Sequence, residues 1–105
     1  MKTLASRQAY EAAIKEGTVV VVFSAQWCAD CRVIEPVLPE IEEKYSQLKF
    51  FQVDRDQLID LCQELDIFGI PSFIIYRDGT EIDRFVSKDR KTQAEIESFI
   101  DKAIS

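Results

Sequence analysis

Two thiols in this chain stand close enough to work as one unit: Cys28 and Cys31, within Trp27-Cys28-Ala29-Asp30-Cys31. Cysteines at this spacing either cycle between dithiol and disulfide or supply half of a metal site. A tetrahedral site asks for about four ligands, whereas the chain has no histidine and one further cysteine, Cys62. Metal binding would therefore require two subunits, as in a dimeric carrier bridged by two C-x-x-C pairs. The absence of histidine also removes Ser/His and Cys/His nucleophiles and imidazole acid-base catalysis. Redox chemistry is the reading the residue types favour.

That chemistry needs an element to carry it. Directly before the motif lies the most apolar run of the chain, 19–23, rich in valine. A short β-branched run bounded by polar residues reads as a buried strand. After the motif, Val33, Ile34, Val37, Leu38, Ile41 and Tyr45 recur with a helical period. The two thiols therefore fall on the first turn of a helix, where unpaired N–H groups and the positive dipole end favour a thiolate on the leading sulfur, Cys28. Pro36 and Pro39 interrupt the pattern and predict a kink or short break, because a helix-interior proline removes a hydrogen bond and clashes with the preceding turn.

The remaining elements build a scaffold around this unit. Ala9, Tyr10, Ala13 and Ile14 lie at helical spacing over 6–16, with Ser6 as N-cap and Gly17 as stop. A second strand is expected over 48–54, parallel to the first, and a helix over 57–65 capped by Asp56. On that helix Cys62 falls on the apolar face and reads as a small core residue. Asp54, Asp56 and Asp60 read as a strand end, a cap and a solvated face instead of a cation site. Two strands, 72–76 and 81–86, meet at Asp78-Gly79, a hairpin turn signal. Thr92 and Glu95 are spaced as a capping box ahead of a last amphipathic helix. The expected order is αβαβαββα, one α/β domain over 1–105 with three layers and a mixed sheet.

Bulk properties narrow the function class. The formal net charge of −6 disfavours nucleic acid and anionic membranes as partners. No apolar run approaches the ~20 residues of a membrane span. Charged residues punctuate 1–17, so no signal peptide is expected and a cytoplasmic, reducing location is the default. A monomer is expected.

With those elements in place the chain resembles a thioredoxin. The resemblance rests on Phe23-Ser24-Ala25-Gln26 leading into Trp27-Cys28-Ala29-Asp30-Cys31, on Pro36 in the helix, and on Gly69-Ile70-Pro71-Ser72 ahead of the hairpin. It implies a thioredoxin fold and a thiol-disulfide oxidoreductase with no bound cofactor beyond a Cys28/Cys31 disulfide. Cys28 would be an exposed nucleophile and Cys31 the resolving thiol. Ile70-Pro71 would hold a cis peptide facing the sulfurs. Trp27, Phe68, Ile70, Pro71 and Val86 would form an apolar docking patch for disulfide-containing substrate proteins. Electrons would come from a thioredoxin-reductase-like flavoprotein or a low-molecular-weight thiol.

Departures from the family pattern make the site particular. Ala29-Asp30 replaces the common Gly-Pro, and the Asp30 carboxylate is expected to raise the thiolate pKa of Cys28. The family's buried aspartate and its neighbouring lysine are matched by Val22 and Phe50, which leaves the proton acceptor of Cys31 unassigned among Asp30, water and the leaving thiolate. Ser24 stands for a frequent tryptophan and Ser87 for a glycine. These changes suggest a specialised relative. The rival readings are a redox-idle binding or chaperone-like module on the same fold and the dimeric metal carrier.

Overall fold

A computed structural model describes residues 1–105. At its centre is β2, Thr18–Ser24, whose residues 19–23 are all at most 1% exposed. Successive side chains of a strand point to opposite faces, so Val19, Val21 and Phe23 enter one core while Val20 and Val22 enter another. A run buried on both faces has no polar alternation to show, which is why it reads as continuously apolar.

Around β2 the sheet runs β1-β3-β2-β4-β5, with β3 at Lys49–Asp54, β4 at Ser72–Arg77 and β5 at Thr80–Phe85. β1 and β3 run parallel to their neighbours, while β4 lies antiparallel to β2 and β5 antiparallel to β4. The sheet is thus mixed, as expected. It has one strand more than expected: β1 is Lys2–Thr3, paired with Phe51 and Gln52, and Leu4 N donates to Gln52 O at 2.8 Å. Two residues carry no periodicity; the edge is held by these pairings, by the burial of Leu4, 4% exposed, and by the Met1 ammonium 3.3 Å from Glu42 Oε1.

Helices close both faces. α1, Arg7–Ala13, and α4, Ile59–Glu64, cover the Val19/Val21/Phe23 face through Tyr10, Leu61 and Cys62. α2, Ala29–Ile34, α3, Leu38–Lys44, and α5, Gln93–Ile104, cover the other through Ile34, Ile41, Ile96 and Ile100. Each such side chain, taken fully from water, contributes about 1.5–3 kcal/mol. Between α2 and α3 the chain tightens to a 3-10 turn over Glu35–Val37, with proline at the start of the turn and again at the start of α3. Proline is accepted there because first-turn N–H groups have no helical acceptor, and the expected break falls at these prolines.

Caps follow the sequence with two corrections, the first being that α1 ends at Ala13 with Ile14 as its C-cap, so Gly17, at φ +78°, belongs to the turn before β2 and is not the helix stop. The Ser6 hydroxyl accepts from Ala9 N, and Thr92 with Glu95 forms the complete capping box of α5. Asp78 and Gly79 both have positive φ, the geometry that lets a two-residue turn follow the twist of β4 and β5. Asp56, however, does not cap α4, which starts later than expected, at Ile59 after Leu58. Asp54 organises this turn instead: its Oδ1 accepts from Asp56 N at 2.8 Å and Gln57 N at 3.3 Å. Two aspartates within three residues offer the same chemistry, and the end of β3 fixes which one faces the free N–H groups.

Candidate active site

Four residues, 25–28, lead from the end of β2 to the start of α2, and the last of them, Cys28, is the N-cap of α2. Its Sγ accepts from Cys31 N at 3.2 Å, a hydrogen bond normally made by a serine or aspartate oxygen. Cys28 and Cys31 are joined as a disulfide with Cα atoms 5.2 Å apart. An N–H aimed at a sulfur in this way is of the kind that favours a thiolate. Both cysteines are only 6% exposed, so Cys28 is less open in the disulfide state than expected of a nucleophile. The neighbouring Ile70 covers it: Cys28 Sγ lies 3.7 Å from Ile70 O, and the Ile70-Pro71 peptide is cis.

Beside the disulfide runs a groove of about 360 Å³. Trp27 and Phe68 form its apolar rims, 62% and 63% exposed, and Ile70 its floor. Trp27 is held in place: Nε1 donates to Asp56 Oδ2 at 2.7 Å, and the Arg55 guanidinium lies 5.6 Å from the ring centroid. Ala29 and Asp30 also line the groove. Pro71 is buried and Val86 packs half-buried against the Val21 core, and neither is among the residues lining this groove. Arg55 and Lys88, which the sequence did not single out, do.

Asp30 has a partner that spacing could not reveal. Arg90 Nε donates to Asp30 Oδ1 at 2.9 Å, joining α2 to the loop after β5 and offsetting the carboxylate's charge beside Cys28. That loop is fixed by Lys91, 1% exposed, whose Nζ donates to Ser87 O at 3.2 Å and Asp89 O at 3.0 Å and lies 5.1 Å from the Phe85 ring centroid. Burial pushes the Lys91 pKa down. Ser87 sits directly against Gly69, where an added Cβ would come within 2.2 Å of Ser87 O.

The other departures also have structural places. Val22 is 1% exposed and Phe50 packs in the same core, so apolar side chains fill the positions of the family's charged pair. Ser24 Oγ accepts from Gln52 Nε2 at 3.0 Å. Cys62 is 2% exposed, and burial pushes its thiol up to about 11. No group of three His, Cys, Asp or Glu side chains converges to hold a metal ion.

The sequence model of the thioredoxin family matches residues 2–102. The chain belongs to the thioredoxin family. Among its relatives, thioredoxin Asp f 28 of Aspergillus fumigatus is 40% identical over 77 residues, covering 73% of this chain and 71% of the relative. The thioredoxin of Equus caballus is 34% identical over 104 residues, 95% of this chain and 99% of that one. The matched segment spans just over half the length of several plant H-type thioredoxins. A solved thioredoxin of Plasmodium falciparum superposes with a TM-score of 0.87 at 25% identity, over 97% of this chain and 98% of that structure. Thioredoxins are thiol-disulfide oxidoreductases that need no bound cofactor, and this member carries the redox-active pair as a closed disulfide at the start of α2.

Proposed function

We propose that the protein reduces disulfides of partner proteins, with Cys28 as nucleophile and Cys31 as resolving thiol. The observation that carries this reading is the position of Cys28 Sγ, which caps α2 and borders the groove between Trp27, Phe68 and Ile70. A reduced Cys28 thiolate attacks one sulfur of the substrate, forming a mixed disulfide and releasing the other sulfur as a thiolate. Cys31, already within bonding distance, then attacks Cys28 Sγ and releases the second substrate thiol. Two electrons pass from the dithiol to the substrate, and the protein is left oxidised.

The docking surface in this reading is Trp27, Phe68 and Ile70, with Pro71 next to Ile70 in the chain and Val86 packed on the same core as Ile70. Electrons return from a thioredoxin-reductase-like flavoprotein or a low-molecular-weight thiol. A cytoplasmic location agrees with the unbonded third thiol, Cys62, and with a net charge of −6; no helix is long and apolar enough to cross a membrane. Coverage of both sheet faces by helices of the same chain supports a monomer.

Insulin disulfide reduction by dithiothreitol tests the assignment. Wild type is expected to accelerate it, and Cys28→Ser to abolish the acceleration. Cys31→Ser should trap substrate on Cys28 as a mixed disulfide. Wild-type rate in Cys28→Ser would overturn the reading.

A further inference from the structure

We propose, on the reading that Cys31 is the resolving thiol, that Glu35 receives the Cys31 proton through the cleft behind α2. The resolving step has a proton to lose, since an ordinary thiol with a pKa of about 8.5 is mostly protonated at neutral pH. Val22 cannot accept it. On the substrate side the Asp30 carboxylate is engaged by Arg90. Behind α2, however, lies a second cleft, of about 640 Å³, that shares no residue with the docking groove. Cys31, Val22 and Glu35 all line it.

Glu35 follows Cys31 by four residues, and its N–H donates to Cys31 O, so the two side chains lie one turn apart on one helical face. A cleft of this size admits water, whose share of liquid volume is about 30 Å³. Of the other charged groups in its wall, Arg32 is a cation and donates Nε to Gln26 O, while Asp54 Oδ1 already accepts from two backbone N–H groups. Glu35 takes part in no ion pair. A carboxylate absent at Val22 is thereby supplied by another residue lining the same cleft.

The step balances as follows for the mixed disulfide on Cys28. Cleft water carries the Cys31 proton to the Glu35 carboxylate, and the Cys31 thiolate attacks Cys28 Sγ. The Cys28–Cys31 bond forms as the bond from Cys28 to the substrate sulfur breaks. The substrate sulfur leaves with the electron pair and takes a proton from solvent. Glu35 then returns its proton to solvent through the open cleft.

Stopped-flow reaction of the reduced protein with 5,5′-dithiobis(2-nitrobenzoate) separates the two steps, because attack by Cys28 releases one coloured thiolate and resolution by Cys31 releases a second. Glu35→Gln should leave the first phase unchanged and slow the second about 10-fold at neutral pH, below the range of direct general-base catalysis because water intervenes. The gap should close as pH rises past the Cys31 pKa, where the thiol no longer needs an acceptor. Glu35→Asp should recover most of the rate. A second phase in Glu35→Gln equal to wild type, or slowed equally at every pH as a packing defect would do, overturns the proposal. If Cys31→Ser keeps the second phase, the resolving role of Cys31 is overturned instead.

Discussion

Arg90 and Asp30 stand 60 positions apart in the chain and meet beside the disulfide, Nε to Oδ1 at 2.9 Å. The carboxylate expected to repel a Cys28 thiolate therefore has its own counter-charge. Other charges face the same groove, Arg55 and Lys88 among them, so the net field at Cys28 depends on whether the Asp30–Arg90 pair stays intact. Arg90→Gln should raise the Cys28 thiolate pKa by about half a unit, and Asp30→Ala should lower it by a similar amount, the scale of a partly exposed charge pair. The double variant should return close to wild type. Thiolate absorbance at 240 nm against pH reads all three, and a double variant shifted as far as either single variant would show that the two charges do not offset each other at Cys28.

Gly69 reports how tightly the loop before β4 meets the loop after β5. A Cβ at Gly69 would come within 2.2 Å of Ser87 O, 2.5 Å of Ser87 C and 2.7 Å of Lys88 N, all backbone atoms. Gly69→Ala must then separate two loops that border the groove, at a cost of about 1–3 kcal/mol. A lower Tm and slower insulin reduction are both expected. Ser87→Gly should not rescue either, because the obstacle is main chain; rescue would place the conflict in the serine side chain.

Cys62 is an unbonded thiol buried in the core. With burial holding its pKa up to about 11, a fraction of only about 10⁻⁴ is thiolate at pH 7. Iodoacetamide on the reduced native protein should label the active-site pair and leave Cys62 unmodified until denaturant is added, as mass spectrometry of peptides would show. Cys62→Ala should keep full reductase activity and lose about 1 kcal/mol of stability from the small cavity left in the core.

The central unit was legible because two strong local signals agree: a run of β-branched residues and a helical period beginning at the cysteines. The hairpin at Asp78-Gly79 and the capping box at Thr92 were equally local. β1 escaped because two residues have no period, and Asp54 was passed over for Asp56 because the packed end of β3, not residue type, decides which side chain meets the free N–H groups. Arg90 and Lys91 escaped for a different reason. A charged run such as Lys88-Asp89-Arg90-Lys91 reads as solvated surface, yet the fold buries one member as the staple of a loop and turns another toward the active site. Glu35 did carry a signal, its four-residue spacing from Cys31, but without the cleft there was nothing for that spacing to mean.

Stability should decline at both ends of the pH scale for separate reasons. Arg84 donates to the Glu81 carboxylate and Lys44 to that of Glu97, and these bonds lower both pKa values below 4.5. A depressed folded pKa gives stability that is present above the unfolded value and lost as pH falls through the folded one, so the acid limb should begin below about pH 4.5. Tyr10 and Tyr76 bond to each other in the core, and burial raises both above 10.0. A raised tyrosine pKa gives stability lost as pH climbs beyond the unfolded value, so an alkaline limb should begin near pH 10. Urea unfolding across pH reads both limbs, with Glu81→Gln flattening the acid one and, because the Glu81 charge also raises Tyr10 and Tyr76, softening the alkaline one.

Trp27 is the chain's one tryptophan and also a rim of the groove, so a single side chain both binds and reports. Its indole is pinned by Asp56 and Arg55 while 62% of it stays exposed; a ring ordered before docking loses little entropy when a substrate covers it. Trp27→Ala and Phe68→Ala should each raise KM for insulin several-fold, about 1 kcal/mol of lost apolar contact, while the rate with a small aromatic disulfide stays near wild type. Asp56→Ala, which frees the indole without removing it, should give a smaller rise in KM and a drop in tryptophan fluorescence anisotropy. If Trp27→Ala slowed the small disulfide as much as insulin, Trp27 would be acting on the sulfur chemistry of Cys28 and not on docking.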